Sequence, residues 1–139
     1  MPINQANNRT IIFGEDDIDD IDFLKETFSV LDNSFDLLFI DKGRKLLAML
    51  EALADNELPC LLVLDYNIPE LNGAAILEHL KLNDRYNSIP KIIWSTSGSD
   101  TYKNKCLELG AVDYVIKPDN VKDFVETVRF MLTFCGRVE

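Results

Sequence analysis

Five short apolar runs alternate along this chain with longer segments in which apolar residues repeat every three or four positions. Each run has the length of a strand, and together they span residues 10–13, 35–40, 60–64, 91–94 and 113–116. Strict alternation of strands and helices predicts a mainly parallel sheet with right-handed crossovers. The runs are apolar throughout, as is typical of strands that are covered on both faces. We therefore predict an α/β fold, a doubly wound five-stranded parallel sheet with helices on both faces.

The helical segments differ in the strength of their apolar stripes. The first segment carries Ile18, Ile21, Leu24 and Phe28 at helical spacing, and the last, over residues 121–132, is equally regular. The fourth, between residues 101 and 109, has the weakest stripe. Gly110 is typical of a residue that ends a helix, so we expect the fourth helix to stop there.

Length and charge limit what the chain can be. With 139 residues it suits one domain, which we expect to span residues 1–139 with a core of about 9–134 and short terminal tails. The formal net charge of -10 disfavours binding to nucleic acid or to anionic membrane and favours cationic partners. No apolar run approaches the roughly 20 residues that span a bilayer, and the start lacks the pattern of a signal peptide. We expect a cytoplasmic protein.

Three cysteines, Cys60, Cys106 and Cys135, are widely spaced and include no CxxC pair. An odd number at such spacing fits neither a zinc site nor a disulfide framework. We therefore expect reduced thiols with a structural role.

Polar residues follow the predicted strands where each strand ends. Glu15 and Asp16 come after the first strand, Asp65 after the third, Ser95 after the fourth and Lys117 after the fifth. In an open parallel sheet the functional crevice lies beyond the carboxyl ends of the strands, where the strand order reverses. These side chains should therefore meet at one rim.

Crowded carboxylates at such a rim repel one another unless a cation lies among them, and hard oxygen ligands suit Mg²⁺. A carboxylate beside Mg²⁺ can attack phosphorus, while a lysine and a hydroxyl offset charge on the phosphoryl oxygens. The chemistry suggested by these residues is formation of an aspartyl phosphate.

Four motifs in order, FGEDD, LLVLDYNIPELNG, IPKIIWSTS and GAVDYVIKP, make the chain resemble the receiver domains of two-component response regulators. The resemblance extends from about residue 9 to about residue 132. It implies a flavodoxin-like sheet with strand order 2-1-3-4-5. It also implies that Asp65 is the phosphoacceptor and that Ser95 and Lys117 assist the transfer. The implied switch residues are Ser95 and Tyr114. The implied Mg²⁺ ligands are Glu15, Asp16, Asp65 and the backbone carbonyl of Asn67.

The function implied by the resemblance is phosphorylation-dependent signalling in a phosphorelay. A sensor histidine kinase or a histidine phosphotransfer protein would phosphorylate Asp65, and the phosphoprotein would switch a face that binds a downstream protein target. Such a protein is not an enzyme beyond catalysing its own phosphorylation and dephosphorylation. Only residues 135–139 follow the last helix, so we expect a stand-alone receiver without an output domain. The resemblance further implies a cis peptide bond between Lys117 and Pro118.

Two alternative functions remain open. A phosphatase of the haloacid dehalogenase type also uses a strand-end aspartate, but it usually needs a second aspartate where this chain has Asn67. A pseudo-receiver would bind partners without using phosphate, although it would normally have lost Asp65, Lys117 or one of the paired acids.

Other residues receive structural interpretations. The acids from Asp17 to Asp22 favour a helix amino terminus through capping and the helix dipole. His79 lacks a second ligand at metal-binding spacing and is expected to be structural or exposed. Alternation along the fourth strand predicts that Trp94 points away from the phosphoryl site and packs near the fourth helix.

Overall fold

The structure is a computed structural model that describes residues 9–135. Its sheet contains five parallel strands in the order β2-β1-β3-β4-β5. The strands are β1 (Thr10–Gly14), β2 (Asp36–Ile40), β3 (Leu61–Asp65), β4 (Lys91–Ser95) and β5 (Asp113–Ile116). The predicted fold class and the strand order implied by the resemblance are both confirmed.

Helices follow each strand in turn. They are α1 (Ile18–Leu31), α2 (Gly43–Ala52), α3 (Gly73–Lys81), α4 (Asp100–Glu108) and α5 (Val121–Leu132), with short 3-10 turns at Asp55–Glu57 and Asp84–Tyr86. No helix among residues 9–135 combines the length and the apolar character needed to cross a bilayer.

Two apolar clusters cover the two faces of the sheet. One cluster joins alternate strand residues such as Ile11 and Phe13 to buried side chains of α1 and α5. The other joins Ile12 and its equivalents to buried side chains of α2, α3 and α4. Successive residues of a strand point to opposite faces, which is why neighbouring residues enter different clusters. All five residues of the central strand β3 are buried, as the continuous apolar run predicted.

The helix ends agree with the capping signals in the sequence. Asp17 is the N-cap of α1, and its carboxylate accepts a hydrogen bond of 3.0 Å from the backbone N–H of Asp20. Gly110, which follows Leu109, the C-cap of α4, has a φ of 108°, a conformation that glycine adopts without a steric penalty. Within α4 itself only Cys106 is buried, so this helix has the least apolar anchoring of the five.

The expectation of three reduced thiols is wrong for two of them. Cys60 and Cys135 form a disulfide with their Cα atoms 5.2 Å apart, while Cys106 is free and buried. The two paired cysteines are 75 residues apart in the chain, and their approach depends on α5 returning to the edge of the sheet at which β3 begins. Sequence spacing alone carries no information about that approach.

The expected surroundings of Trp94 are also wrong in one respect. Its side chain is fully buried and lies in the cluster of α1 and α5 rather than near α4. The ring of Phe124 on α5 packs edge-on against it, with 6.0 Å between the ring centroids. The Nζ atom of Lys117 lies 5.0 Å from the Trp94 ring centroid, so the indole is close to a residue of the predicted site.

Candidate functional site

Three carboxylates meet at the carboxyl end of the sheet. Asp65 is the last residue of β3, while Glu15 and Asp16 directly follow β1, and the register pairs Gly14 with Leu64. One carboxylate oxygen from each of the three acids lies within 4.8 Å of the others. Glu15 is completely buried and Asp65 is 7% exposed, whereas Asp16 is open to solvent. The strand order therefore brings together the acids that the sequence placed at one rim.

A single ammonium group lies among these acids. The Nζ atom of Lys117 is 2.9 Å from Asp65 Oδ2 and 3.1 Å from Glu15 Oε1. It is also 2.8 Å from Asp20 Oδ2, the shortest of the three contacts. The Lys117–Pro118 peptide bond is trans, so the expectation of a cis bond is wrong, and the lysine side chain reaches the acids with a trans bond.

The charges at the rim depend strongly on one another. Burial raises the pKa of Glu15, while a hydrogen bond of 3.0 Å from the Asp17 N–H and the charge of Lys117 oppose the rise, and the net pKa is about 7. Burial lowers the pKa of Lys117, but the hydrogen bonds to Asp20 and Asp65, together with the charges of Glu15 and Asp65, outweigh it, and the net pKa lies above the ordinary lysine value. The lysine is therefore charged at neutral pH and holds the carboxylates together.

Backbone geometry after β3 orients the carboxylate of Asp65. Its Oδ1 atom accepts a hydrogen bond of 2.9 Å from the Asn67 N–H, which leaves Oδ2 for the lysine. The chain then turns back, and the Gly73 N–H donates to the Tyr66 carbonyl at 2.9 Å. A Cβ atom at position 73 would lie 3.0 Å from Ile93 Cδ1, so this close return favours glycine.

Ser95 and Tyr114 converge on the loop after β4. Ser95 is fully buried, and its Oγ accepts a hydrogen bond of 3.0 Å from the Ser97 N–H. The Tyr114 hydroxyl donates a hydrogen bond of 2.8 Å to the Ser97 carbonyl. Tyr114 is itself buried, with 6% exposure. The two residues are connected through Ser97.

Sequence reasoning missed Asp20 as a residue of this site. The acids after β1 were interpreted as helix-start residues, which is confirmed for Asp17 but incomplete for Asp20, because its carboxylate contacts Lys117. The two residues are 97 positions apart, and no local pattern joins them. His79, in contrast, is exposed on α3 beside Leu47 and Glu51 and contributes nothing to the rim.

The donor atoms at the rim fit a hard divalent cation. They are carboxylate oxygens from Glu15, Asp16 and Asp65, the ligand type that Mg²⁺ and Mn²⁺ prefer. Glu15 Oε1 is buried and accepts no hydrogen bond, although the Lys117 ammonium is near enough to form an ion pair. A buried carboxylate oxygen without a hydrogen bond lowers the stability of the folded state, and such an oxygen is well suited to act as a ligand of a metal ion.

Residues 11–129 match the family described as the response regulator receiver domain. The chain belongs to this family, which has a signalling role rather than that of a classical enzyme. Receiver domains bind Mg²⁺ or Mn²⁺ at an acidic pocket, carry a phosphorylated aspartate, and interact with histidine kinases and downstream targets.

Individual relatives agree with this assignment. The rice two-component response regulator ORR5 (Oryza sativa subsp. japonica) is 32% identical over 66% of this chain, and the chain spans 66% of that protein's length. Histidine kinase P4 of Formosa agariphila is 30% identical over 88% of this chain, which spans only 8% of the kinase. The crystal structure of the Mn²⁺-bound form of response regulator Rcp1 superposes with a TM-score of 0.79 at 26% identity, covering 91% of this chain and 93% of that one.

Proposed function

We propose that Asp65 accepts a phosphoryl group from the phosphohistidine of a sensor histidine kinase or a histidine phosphotransfer protein. The observation that carries this proposal is the position of Asp65. It lies at the end of the central strand, 2.9 Å from an ammonium group and within 4.8 Å of two further acids that could hold a metal. Glu15 has a similar hydrogen-bonded turn but is completely buried, whereas Asp65 is 7% exposed and can be reached by a phosphodonor.

Each residue of the rim has a proposed task in the transfer. The new bond forms between an Asp65 carboxylate oxygen and phosphorus while the P–N bond of the donor breaks, and the released imidazole takes up a proton. Lys117 offsets negative charge on the phosphoryl oxygens, and the Ser95 hydroxyl donates a hydrogen bond to one of them. Glu15, Asp16, Asp65 and the Asn67 carbonyl would hold Mg²⁺, which supplies further charge stabilisation.

The surroundings of the rim favour a donor with a basic surface. An open cavity of about 770 Å³ beside Lys117 is lined by five aspartates from α1, α5 and the segments before them, namely Asp17, Asp19, Asp20, Asp119 and Asp123. Complementary charge accelerates association and orients the partners. A cationic patch on the kinase or phosphotransfer protein would therefore guide its phosphohistidine towards Asp65.

The output of phosphorylation would pass through Ser97. A phosphoryl oxygen on Asp65 would accept a hydrogen bond from the Ser95 hydroxyl, and movement of this hydroxyl would shift the Ser97 N–H from which it accepts and so alter the bond between Ser97 and Tyr114. Because α4 buries only Cys106, this helix is the element that such a shift can move most easily. The face formed by α4, β5 and α5 would then change its affinity for a downstream protein.

Incubation with acetyl phosphate and Mg²⁺, followed by intact mass spectrometry, tests the proposal. We expect one phosphoryl group that is labile to base, and none in Asp65→Asn. Asp41→Asn is the matched control, because Asp41 follows β2 at the same edge of the sheet and is exposed. Equal labelling of Asp65→Asn and wild type would refute the assignment of Asp65, and a wild type that is never labelled would favour a pseudo-receiver.

A further inference from the structure

We infer that Asp20 is a positioning residue that keeps the Lys117 ammonium at the site when a divalent cation binds. The inference deepens the proposed function and rests on it, since it assigns a role within the phosphoryl-transfer site. It starts from the contact of 2.8 Å between Asp20 Oδ2 and Lys117 Nζ.

Helix capping does not account for the orientation of Asp20. Asp20 is the third residue of α1, a position from which an acidic side chain can reach back to the N-cap N–H in a capping box. Here the Asp17 N–H is instead occupied by Glu15 Oε2, at 3.0 Å. The Asp20 carboxylate turns away from the helix end towards Lys117, where it is only 24% exposed.

The three carboxylates that contact Lys117 differ in their relation to a metal. Glu15 and Asp65 belong to the group of acids that could hold a cation, whereas Asp20 does not. A bound divalent cation would neutralise much of the negative charge of Glu15 and Asp65 and so weaken their attraction for the ammonium. It would also repel the ammonium, because like charges at short range repel strongly. Asp20 is then the one carboxylate in contact with Lys117, among residues 9–135, for which the metal does not compete.

This arrangement gives Asp20 a definite effect on phosphoryl transfer. Lysine has a long flexible side chain, and its charge helps the reaction only while it is held near the phosphoryl oxygens. Without Asp20, the metal and the lysine would compete for the same two carboxylates. The lysine would spend less time at the site, so the maximal rate should fall while binding of a small phosphodonor changes little.

Trp94 provides a direct readout of the lysine. The Lys117 Nζ atom lies 5.0 Å from the indole ring centroid, and the ring is fully buried, so its emission should respond to departure of the ammonium. Trp94 is the sole tryptophan of the chain, so the signal has a single source.

The experiment compares wild type with Asp20→Asn, Asp20→Glu and Asp22→Asn. Asp22→Asn removes the same charge from an exposed position of the same helix. With acetyl phosphate and Mg²⁺, we expect the maximal labelling rate of Asp20→Asn to fall about tenfold, with the half-saturating concentration within about twofold of wild type. Asp20→Glu should recover part of the rate, and Asp22→Asn should match wild type.

The second readout is Trp94 emission during a Mg²⁺ titration without phosphodonor. Emission should change in Asp20→Asn and stay nearly constant in wild type and Asp22→Asn. If the wild type is labelled and Asp20→Asn reaches the same maximal rate, the inference is overturned while the proposed function stays intact. Failure to label the wild type would instead refute the proposed function.

A third measurement needs no variant and remains decisive if Asp20→Asn does not fold. Acylation of lysine amines in the wild type, read by peptide mass spectrometry, should find Lys117 protected relative to the exposed Lys122 both with and without Mg²⁺. Protection that persists with Mg²⁺ supports retention of the lysine. Reaction of Lys117 as fast as Lys122 once Mg²⁺ is added would overturn the inference.

Discussion

Replacing Lys117 with methionine should expose the charge balance of the rim. Methionine has a similar length and is unbranched, so it can keep the packing against Trp94 while removing the ammonium. The substitution leaves the carboxylates of Glu15, Asp20 and Asp65 without the cation that each of them contacts within 3.1 Å. The metal-free protein should therefore lose stability.

The size of the loss follows from the burial of these acids. Removing one partner of a buried ion pair typically costs about 3–5 kcal/mol, because the remaining charge is left uncompensated. Glu15 is fully buried, but the side chains of Asp65 and Asp20 are 10% and 24% exposed, so water compensates part of the charge. Glu15 can also take up a proton, since its pKa is already raised to about 7. We therefore expect the lower end of the range, about 3 kcal/mol of unfolding free energy.

Mg²⁺ should reverse much of this loss. Binding to the folded state alone adds about 2.7 kcal/mol when the free ion is about 100 times its Kd. The gain should be larger in Lys117→Met than in wild type, because no ammonium repels the metal. Urea unfolding followed by far-UV circular dichroism, in EDTA and in saturating Mg²⁺, measures both quantities.

Lys122→Met is the control for loss of one positive charge, and it should change stability by less than about 0.5 kcal/mol because Lys122 is exposed. The reasoning would be refuted if Lys117→Met were as stable as wild type in EDTA. It would equally be refuted if Mg²⁺ stabilised the variant less than the wild type.

Two further predictions concern elements outside the carboxylate cluster. Reducing the disulfide between Cys60 and Cys135, which are 75 residues apart, should lower the unfolding free energy by at most about 4.5 kcal/mol through the entropy of the unfolded chain. Urea unfolding with and without reductant measures this, and identical midpoints would mean that the two thiols are unpaired in solution. Tyr114→Phe removes the hydroxyl bond to the Ser97 carbonyl and should cost about 1 kcal/mol. The same urea assay checks it, with Tyr102→Phe on the exposed side of α4 as the control; equal stabilities would contradict the role of that bond.

Apolar patterning and the order of the motifs were enough to predict the elements of the fold and the edge of the sheet at which the site lies. Apolar runs of strand length and stripes of helical period report burial directly, because each pattern reflects how many faces of an element are covered. Parallel strands must end at the same edge, so residues that follow them meet there whatever the details of packing. Asp65 at the end of β3 and Glu15 after β1 could be brought together on this argument alone.

The contacts between side chains far apart in the chain could not be predicted in this way and became visible in the folded protein. The contact of Asp20 with Lys117 spans 97 residues, and the disulfide of Cys60 with Cys135 spans 75. Likewise, no local sequence pattern predicted that the Lys117 ammonium lies over the ring of Trp94. Periodicity specifies which face of an element is buried, whereas these contacts depend on how far each helix is rotated and where it crosses the sheet, and that is decided by the packing of the whole core.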